Sequence, residues 1–263
     1  MSEFKSHNYW ALILGGSTGL GLASAKKLAQ HGMNICIVHR NSRSEMAEIE
    51  DSFNEIKSLD VEFLSFNINA INSDKMETTI SELKDKIQDG KIRCLLHSIA
   101  KGNLKPMISN DKGELKNEDF MMTFDNMAAS LYDWTKGLFA NELFAQDARI
   151  ISFSSEGNKK AFAGYAAVSV AKAALEAITR NMAIEFAKYG LRSNCIQAGI
   201  TDTISQRMIP GSEEMLISAE KRNPFGRITK AEDVANVVYL LCKDEAAWIN
   251  GTVIVVDGGE SIT

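Results

Sequence analysis

The sequence predicts a single-domain α/β fold, with a doubly wound parallel sheet of about seven strands and helices on both faces. Short apolar runs alternate with amphipathic segments along the whole chain, which is the pattern of βαβ crossovers. The apolar runs are continuous, as expected for strands covered on both faces. A chain of 263 residues with 45% hydrophobic residues and only three prolines fits one well-packed domain without a long linker.

The elements follow in order from the period of the apolar residues. The predicted strands are Trp10–Leu14, Asn34–Val38, Val61–Phe66, Ile92–His97, Arg149–Phe153, Arg192–Ile196 and Thr252–Val256. The predicted helices are Leu20–His31, Ser44–Lys57, Ser73–Gln88, Asp119–Phe144, Gly164–Tyr189 and Lys230–Lys243. Two long polar stretches, 101–118 and 199–227, follow the fourth and sixth strands, at the edge where open α/β sheets bind ligands. We expect residues 199–227 to form a substrate lid.

Composition argues against several classes of protein. A net charge of −5 is unlike that of a nucleic-acid binder, which needs a basic surface. No apolar run approaches the roughly 18 residues of a membrane span, and the N-terminal residues are polar, so we expect a soluble cytoplasmic protein. The four cysteines are scattered in apolar surroundings without metal-ligand spacing, which predicts buried thiols and no metal site.

A glycine-rich segment, Gly15-Gly16-Ser17-Thr18-Gly19-Leu20-Gly21, follows the first strand directly and opens a helix. Glycine permits the tight turn and a close approach of backbone to a pyrophosphate, and the helix N-terminus favours the negative charge. This Rossmann-type position predicts dinucleotide binding by Gly15, Ser17, Thr18, Gly19, Leu20 and Gly21. The alternative is an ordinary glycine-rich turn.

The residues after the second strand bear on cofactor preference. An acidic residue there would hold the ribose of NAD, and a basic one would accept the phosphate of NADP. The chain has Arg40 and Arg43 there, with no carboxylate before Glu45, and guanidinium groups bind phosphate in a bidentate manner. This favours NADPH over NADH, unless the two arginines are only solvated surface charges. Asn67 and Ile68 are expected to flank the adenine by position.

A tyrosine and a lysine on one predicted helix are candidate catalytic residues. Tyr165 and Lys172 are seven residues apart, which on a helix falls about 20° short of two turns and places both on one face. A second pair, Tyr132 and Lys136, lies four residues apart, but no serine precedes Lys136 at the distance at which Ser155 precedes Lys172. We therefore do not expect this second pair to be catalytic.

These motifs, with Ser154-Ser155 and Asp257-Gly258-Gly259, resemble the short-chain dehydrogenase/reductase family over essentially the whole chain. Within it, the six-residue gap between Tyr165 and Lys172 resembles bacterial enoyl-[acyl-carrier-protein] reductases. So does His97-Ser98-Ile99-Ala100, which replaces the Asn-Asn-Ala-Gly of the main branch. Because the first loop keeps the main-branch glycines, and Ser155 replaces a second tyrosine, the chain is most similar to the NADPH-using subtype. Asp125 stands where the main branch has its active-site asparagine.

The resemblance implies a reaction and its residues. Hydride from NADPH would reduce the trans-2 double bond of an enoyl thioester carried by acyl-carrier protein or coenzyme A, as a step of fatty-acid synthesis. Tyr165 would stabilise the enolate, Lys172 would hold the ribose hydroxyls, and Ser155 would add a hydrogen bond. Alternatives are a 3-oxoacyl or other carbonyl reductase of the same family, and a non-catalytic NADP-binding sensor.

The resemblance also implies contacts elsewhere. The cofactor would be lined by Ser98, Ile99 and Ala100, and its nicotinamide amide would meet Thr201 and Thr203. The family is commonly tetrameric, and small residues along Gly164–Tyr189 would permit close packing between subunits of a homotetramer.

Overall fold

The computed structural model describes residues 3–110 and 113–263. Its centre is one seven-stranded parallel sheet in the order β3-β2-β1-β4-β5-β6-β7, which confirms the predicted fold class. The strands are β1 Tyr9–Leu14, β2 Asn34–His39, β3 Phe63–Asn67, β4 Lys91–His97, β5 Phe144–Ser155, β6 Leu191–Ala198 and β7 Val253–Val256.

Helices cover both faces of the sheet. They are α1 Gly19–Gln30, α2 Met46–Lys57, α3 Ser73–Ile87, α4 Asn117–Phe124, α5 Ser130–Ala140, α6 Ala166–Glu185, α7 Ile204–Arg207, α8 Ser212–Arg222 and α9 Ala231–Cys242. One buried cluster joins α1, α2 and α9 to the sheet, and a second joins α3, α5 and α6 to the other face. All four cysteines are buried thiols, as predicted. In the part of the chain that the structure describes, no helix is both long and apolar enough to cross a membrane.

The fourth predicted helix, Asp119–Phe144, is wrong in two respects. It is interrupted by a π-helical turn, Asp125–Ala129, between α4 and α5. It also ends at Ala140, because Glu142 takes a left-handed φ of +57°, and Phe144 already begins β5. Polar residues at the start of β5 hide it from a search for apolar runs.

The chain reverses its direction of winding between β1 and β4, which are neighbours in the sheet. At this switch point the Gly15 amide donates to the carbonyl of Val38 at 2.8 Å, and the Ser98 amide donates to that of Leu14 at 2.8 Å. The ends of β1 and β4 therefore form the crevice in which open α/β sheets bind ligands.

Residues 199–227, expected to form a lid and called the lid from here on, are more ordered than their polar composition suggests, since they contain α7 and α8. An isolated parallel bridge joins Thr201 to Thr229, so the lid leaves and rejoins the body at neighbouring positions.

The opposite edge of the sheet is closed by three arginines around one aspartate. Arg93 Nη1 lies 2.8 Å and Arg149 Nη1 lies 2.6 Å from Asp147 carboxylate oxygens, and Arg192 pairs with the same carboxylate. Arg93 also donates to the carbonyl of Cys242 at the end of α9, through Nε at 3.0 Å and Nη2 at 2.8 Å. Cations at a helix C-terminus are favourable, so this arginine cluster ties α9 to β4, β5 and β6.

Candidate active site

The glycine loop requires glycine at two positions. Gly15 has a φ of +83°, and a Cβ there would lie 2.7 Å from the Ser98 carbonyl oxygen. A Cβ on Gly21 would overlap the carbonyl oxygen of Gly15 and lie 3.0 Å from Ser98 Oγ. Thr18, the N-cap of α1, makes no side-chain capping hydrogen bond, which leaves the first amides of α1 open to an anion. This cradle fits the pyrophosphate of a dinucleotide.

The other loop residues surround this cradle. Ser17 is half-buried in the turn, and Leu20 packs its side chain against the core cluster of α1, so only its backbone can face a phosphate. Gly19 has a φ of +55°, and a Cβ there would lie 3.4 Å from Thr203 Cγ2. Thr203 caps α7 by accepting from the Gln206 amide at 3.1 Å. The start of the lid therefore lies against the glycine loop.

Thr201 lies deeper than Thr203. It is buried, and its hydroxyl donates to the carbonyl of Gly199 at 2.9 Å. The hydroxyl proton of Thr201 is thus used in a hydrogen bond to the backbone at the start of the lid.

The arginines after β2 are exposed, and neither Arg40 nor Arg43 forms an ion pair within the described residues. The nearest carboxylate, Glu45, accepts from the amide and hydroxyl of Ser42, each at 2.7 Å. These hydrogen bonds lower the pKa of Glu45 and hold it within its own turn. The surface after β2 therefore offers two guanidinium groups.

Asn67 supports this surface from β3. Its Nδ2 donates to the carbonyl of Asn41 at 2.9 Å, and its Oδ1 accepts from the Asn41 amide at 3.1 Å. The adjacent Ile68 is half-buried against the core, as is Ile99 after β4, whereas Ala100 is exposed.

Tyr165 and Lys172 both lie against the end of β5. Tyr165 is the N-cap of α6, with φ −103° and ψ 2°, so the helix begins at Ala166. Lys172 is buried, and its Nζ donates to the carbonyl of Phe153 at 2.7 Å. Burial lowers the pKa of Lys172 to about 8. No hydrogen bond joins the two side chains in the described part of the protein, so neither the phenol nor the ammonium is committed to the other.

Ser155 connects the tyrosine to β5. Its Oγ accepts from the Gly157 amide at 3.2 Å, and a Cβ on Gly157 would lie 2.9 Å from Cδ1 of the Tyr165 ring. Burial raises the pKa of Tyr165, although a hydrogen bond with Ser155 opposes this. The phenol is therefore neutral and can donate a proton in a hydrogen bond.

Glu176 was missed in the sequence. It lies four residues after Lys172 on the same face of α6 and is 7% exposed. Ser154 Oγ donates to its Oε1 at 2.6 Å, and Asn158 Nδ2 donates to the same atom. Its charge opposes the effect of burial on the pKa of Lys172. The i, i+4 spacing to Lys172 was the available signal.

A family model described as "Enoyl-(Acyl carrier protein) reductase" matches residues 15–261, which span the glycine loop, β5, α6 and the lid. The chain belongs to the short-chain dehydrogenase/reductase family. As a family member it is an oxidoreductase whose fold binds NAD(P)H.

Individual relatives agree on the family and differ in substrate. The chain is 31% identical to the enoyl-[acyl-carrier-protein] reductase [NADH] of Aquifex aeolicus over 189 residues, covering 71% of this chain and 69% of that protein. It is 28% identical to the 7alpha-hydroxysteroid dehydrogenase of Paraclostridium sordellii, over 98% of this chain and 94% of that protein. The crystal structure of the Aquifex aeolicus VF5 enoyl-[acyl-carrier-protein] reductase (NADH) superposes with a TM-score of 0.84 at 26% identity, covering 98% of both chains.

The π-helical turn bears on the position of the main-branch active-site asparagine, at which the sequence places Asp125. Asp125, aligned with the main-branch asparagine, is exposed. The pKa of Asp133 is raised, first by burial of its carboxyl and second by the nearby charge of Asp125. Asn126 is the buried residue instead, and its Nδ2 donates to the carbonyl of Met122 at 2.8 Å. A π turn holds an additional residue, which shifts the inward position by one.

His97 anchors this turn. It is buried, its Nε2 lies 2.8 Å from Ser130 Oγ, and that hydroxyl donates to the carbonyl of Asn126 at 2.8 Å. Burial, followed by the charge of Lys172, lowers the pKa of His97 to about 3, so the ring is neutral. The second pair noted in the sequence, Tyr132 and Lys136, lies exposed on α5.

Proposed function

We propose that this dehydrogenase/reductase is an NADPH-dependent enoyl-[acyl-carrier-protein] reductase. The observation that carries the proposal is the separation of Tyr165 and Lys172 by seven positions, with the phenol at the helix N-cap and the ammonium held at Phe153. A carbonyl reductase of the main branch has its lysine one turn after the tyrosine, where this chain has Ser169.

The residues of the site have separable roles in this reaction. A nicotinamide cofactor bound in the crevice would supply hydride to the β-carbon of the enoyl thioester. Tyr165, neutral because burial raises its pKa, donates a hydrogen bond to the thioester oxygen as that oxygen becomes an enolate. Lys172 uses one N–H for Phe153 and has two left for the ribose hydroxyls. Ser155 orients the phenol.

The preference for NADPH rests on Arg40 and Arg43, which are exposed beside the end of β2 while Glu45 is held by Ser42. An NADP phosphate would bind these guanidinium groups. The Aquifex relative is named for NADH, so cofactor choice would differ between the two proteins.

The substrate would lie under the lid, where the segment of Thr201 and Thr203 would meet the nicotinamide amide. Ile204, Met208 and Ile217 expose 62%, 70% and 54% of their surface, which makes these apolar side chains available to an apolar ligand. An acyl chain linked to acyl-carrier protein or coenzyme A would cover them.

The proposed assembly is a homotetramer. On α6, Val170 and Ile184 expose 51% and 78% of their surface, and Ala173 between them is also exposed. Small and apolar residues on one outer helix surface would allow close helix packing between subunits.

Oxidation of NADPH and NADH with a trans-2-enoyl thioester and, in parallel, a 3-oxoacyl thioester tests the proposal. We expect turnover with the enoyl substrate, and faster turnover with NADPH. Consumption with the oxo substrate alone would establish the carbonyl reductase alternative, which Ser155 and the hydroxysteroid dehydrogenase relative favour. NADPH binding without turnover of either substrate would contradict both.

The Tyr165→Phe variant tests the role of the phenol. Without the donor, the developing enolate loses its hydrogen bond, and kcat should fall by about 10²–10³. The dissociation constant for NADPH should stay within about twofold, because the ring still fills its place against Gly157. Tyr132→Phe, at an exposed tyrosine, is the matched control. A kcat equal to that of the unmodified enzyme would exclude the proposed role.

A further inference from the structure

The last residue of the lid helix α8 joins three separate parts of the chain. Arg222 Nη2 donates to Glu156 Oε1 and to Glu260 Oε1, each at 2.5 Å. Glu156 directly follows Ser155, and Glu260 lies in a C-terminal 3₁₀ turn. These three residues, here called the carboxylate clasp, connect the lid to the turn after β5.

The clasp is largely removed from solvent. The side chains of Arg222, Glu156 and Glu260 are 25%, 11% and 2% exposed. Lys160 forms an ion pair with the other oxygen of Glu156 at 2.9 Å, and the Ile200 amide donates to the other oxygen of Glu260 at 3.1 Å. Burial opposes the charge of Arg222, but the hydrogen bonds to both glutamates outweigh it and raise the pKa of the arginine. Removing the guanidinium would leave two buried carboxylates facing each other.

The end of the lid has two further attachments. The Thr263 hydroxyl donates to the carbonyl of Arg222 at 2.7 Å, and Asn223 Nδ2 donates to that of Asp257 at 2.8 Å. One face of α8 is open to solvent along a shallow depression lined by Glu214, Ile217, Ser218, Lys221 and Arg222. Together with the bridge between Thr201 and Thr229, these two hydrogen bonds hold both ends of the lid on the body of the protein.

The clasp also reaches the active site. Glu156 begins the 3₁₀ turn whose next residue, Gly157, donates to Ser155 and supports the ring of Tyr165. We propose that Arg222 is a positioning residue, which fixes the lid onto this turn and thereby holds Ser155 and Tyr165 in their reactive arrangement. The reactive arrangement in this inference rests on the proposed function. The contacts of the clasp themselves are made within the protein and do not involve the thioester.

The test compares Arg222→Met, Arg222→Lys and Asp147→Asn by hydrogen–deuterium exchange of the protein without cofactor. Arg222→Met should speed exchange by at least about tenfold in segments 155–158 and 212–222 and leave β1, β2 and β4 unchanged. Arg222→Lys, which restores a positive charge, should be intermediate. Asp147→Asn lowers stability at the opposite edge of the sheet and should leave both segments unchanged. Unchanged exchange in Arg222→Met, or a uniform increase along the chain, would overturn the proposal.

Kinetics supply a second measurement. With the substrate that the enzyme reduces, Arg222→Met should lower kcat by at least about tenfold, because small displacements of reacting groups are costly. The KM for NADPH should change by less than about twofold, since no hydrogen bond or ion pair joins the described residues of the glycine loop to the clasp. A kcat no lower than that of Asp147→Asn would overturn the kinetic part. Inactivity of the unmodified enzyme towards enoyl thioesters would count against the proposed function, and the exchange result would still decide the clasp.

Discussion

Lys172 shows how burial sets the charge of a single residue at this site. Within the described residues its ammonium donates one hydrogen bond, to the carbonyl of Phe153, and burial lowers its pKa to about 8. The charged form exists below that value, so chemistry that needs the ammonium persists below pH 8 and declines above it. Glu176 moderates the effect because its carboxylate favours the charged lysine.

Glu176→Gln should therefore move the alkaline limb of the pH profile of kcat/KM to lower pH, by roughly one pH unit. The amide keeps the size of the side chain and can still accept from Ser154, so only the charge is lost. A steady-state pH profile from pH 6 to about 10 would measure the shift. A profile that superposes on that of the unmodified enzyme would show that Glu176 has a packing role only.

Among the elements, the β1–α1 loop tolerates little change in side-chain size. Its turn brings Gly15, Gly21 and Ser98 so close that a single methyl group cannot be added without moving backbone. The shape of the cofactor crevice thus depends on the lack of a Cβ atom at Gly15 and Gly21.

Gly21→Ala should weaken NADPH binding by at least about tenfold, because its Cβ would displace the carbonyl of Gly15 from the phosphate cradle. Gly113→Ala is the control, since a Cβ there meets nothing within 4 Å. Titration calorimetry measures both dissociation constants. Equal affinities in the two variants would show that the loop tolerates a side chain and does not form the cradle.

The sequence predicted the elements whose signals are local. Apolar runs located all seven strands, and the glycine spacing located the start of α1. The π turn before Ser130 was not predicted, because its residue types, Asp125 to Ala129, do not distinguish a π turn from an α-helix. Glu176 and Arg222 were also missed, since their partners, Ser154 and Glu260, come together only in the folded chain.

For the whole molecule, stability and chemistry lie at opposite edges of the sheet. The carboxyl edge carries the glycine loop, Tyr165 and the lid, whereas the amino edge carries the arginine cluster around Asp147. Burial would raise the pKa of Asp147, but the hydrogen bonds and charges of Arg149 and Arg93 lower it overall. Its ionised form therefore stabilises the fold.

Asp147→Asn should lower the free energy of unfolding by about 2 kcal/mol at pH 7, less than for a fully buried pair because Asp147 is one-third exposed. A lowered pKa stabilises the fold above the ordinary aspartate value of 3.8 and ceases to do so as pH falls through the folded value. The difference between the two proteins should accordingly shrink below pH 3.8, measured by urea unfolding. A constant difference at all pH values would indicate lost packing alone.

The parallel bridge between Thr201 and Thr229 has a consequence for protein engineering. Because the lid begins and ends at adjacent points of the body, a segment of different length can replace it at a small entropic cost of loop closure. The intervening residues can be exchanged as a cassette, provided that the transplanted segment keeps threonine at its entrance and an arginine at position 222. The scaffold could then be adapted to other substrates without alteration of its sheet.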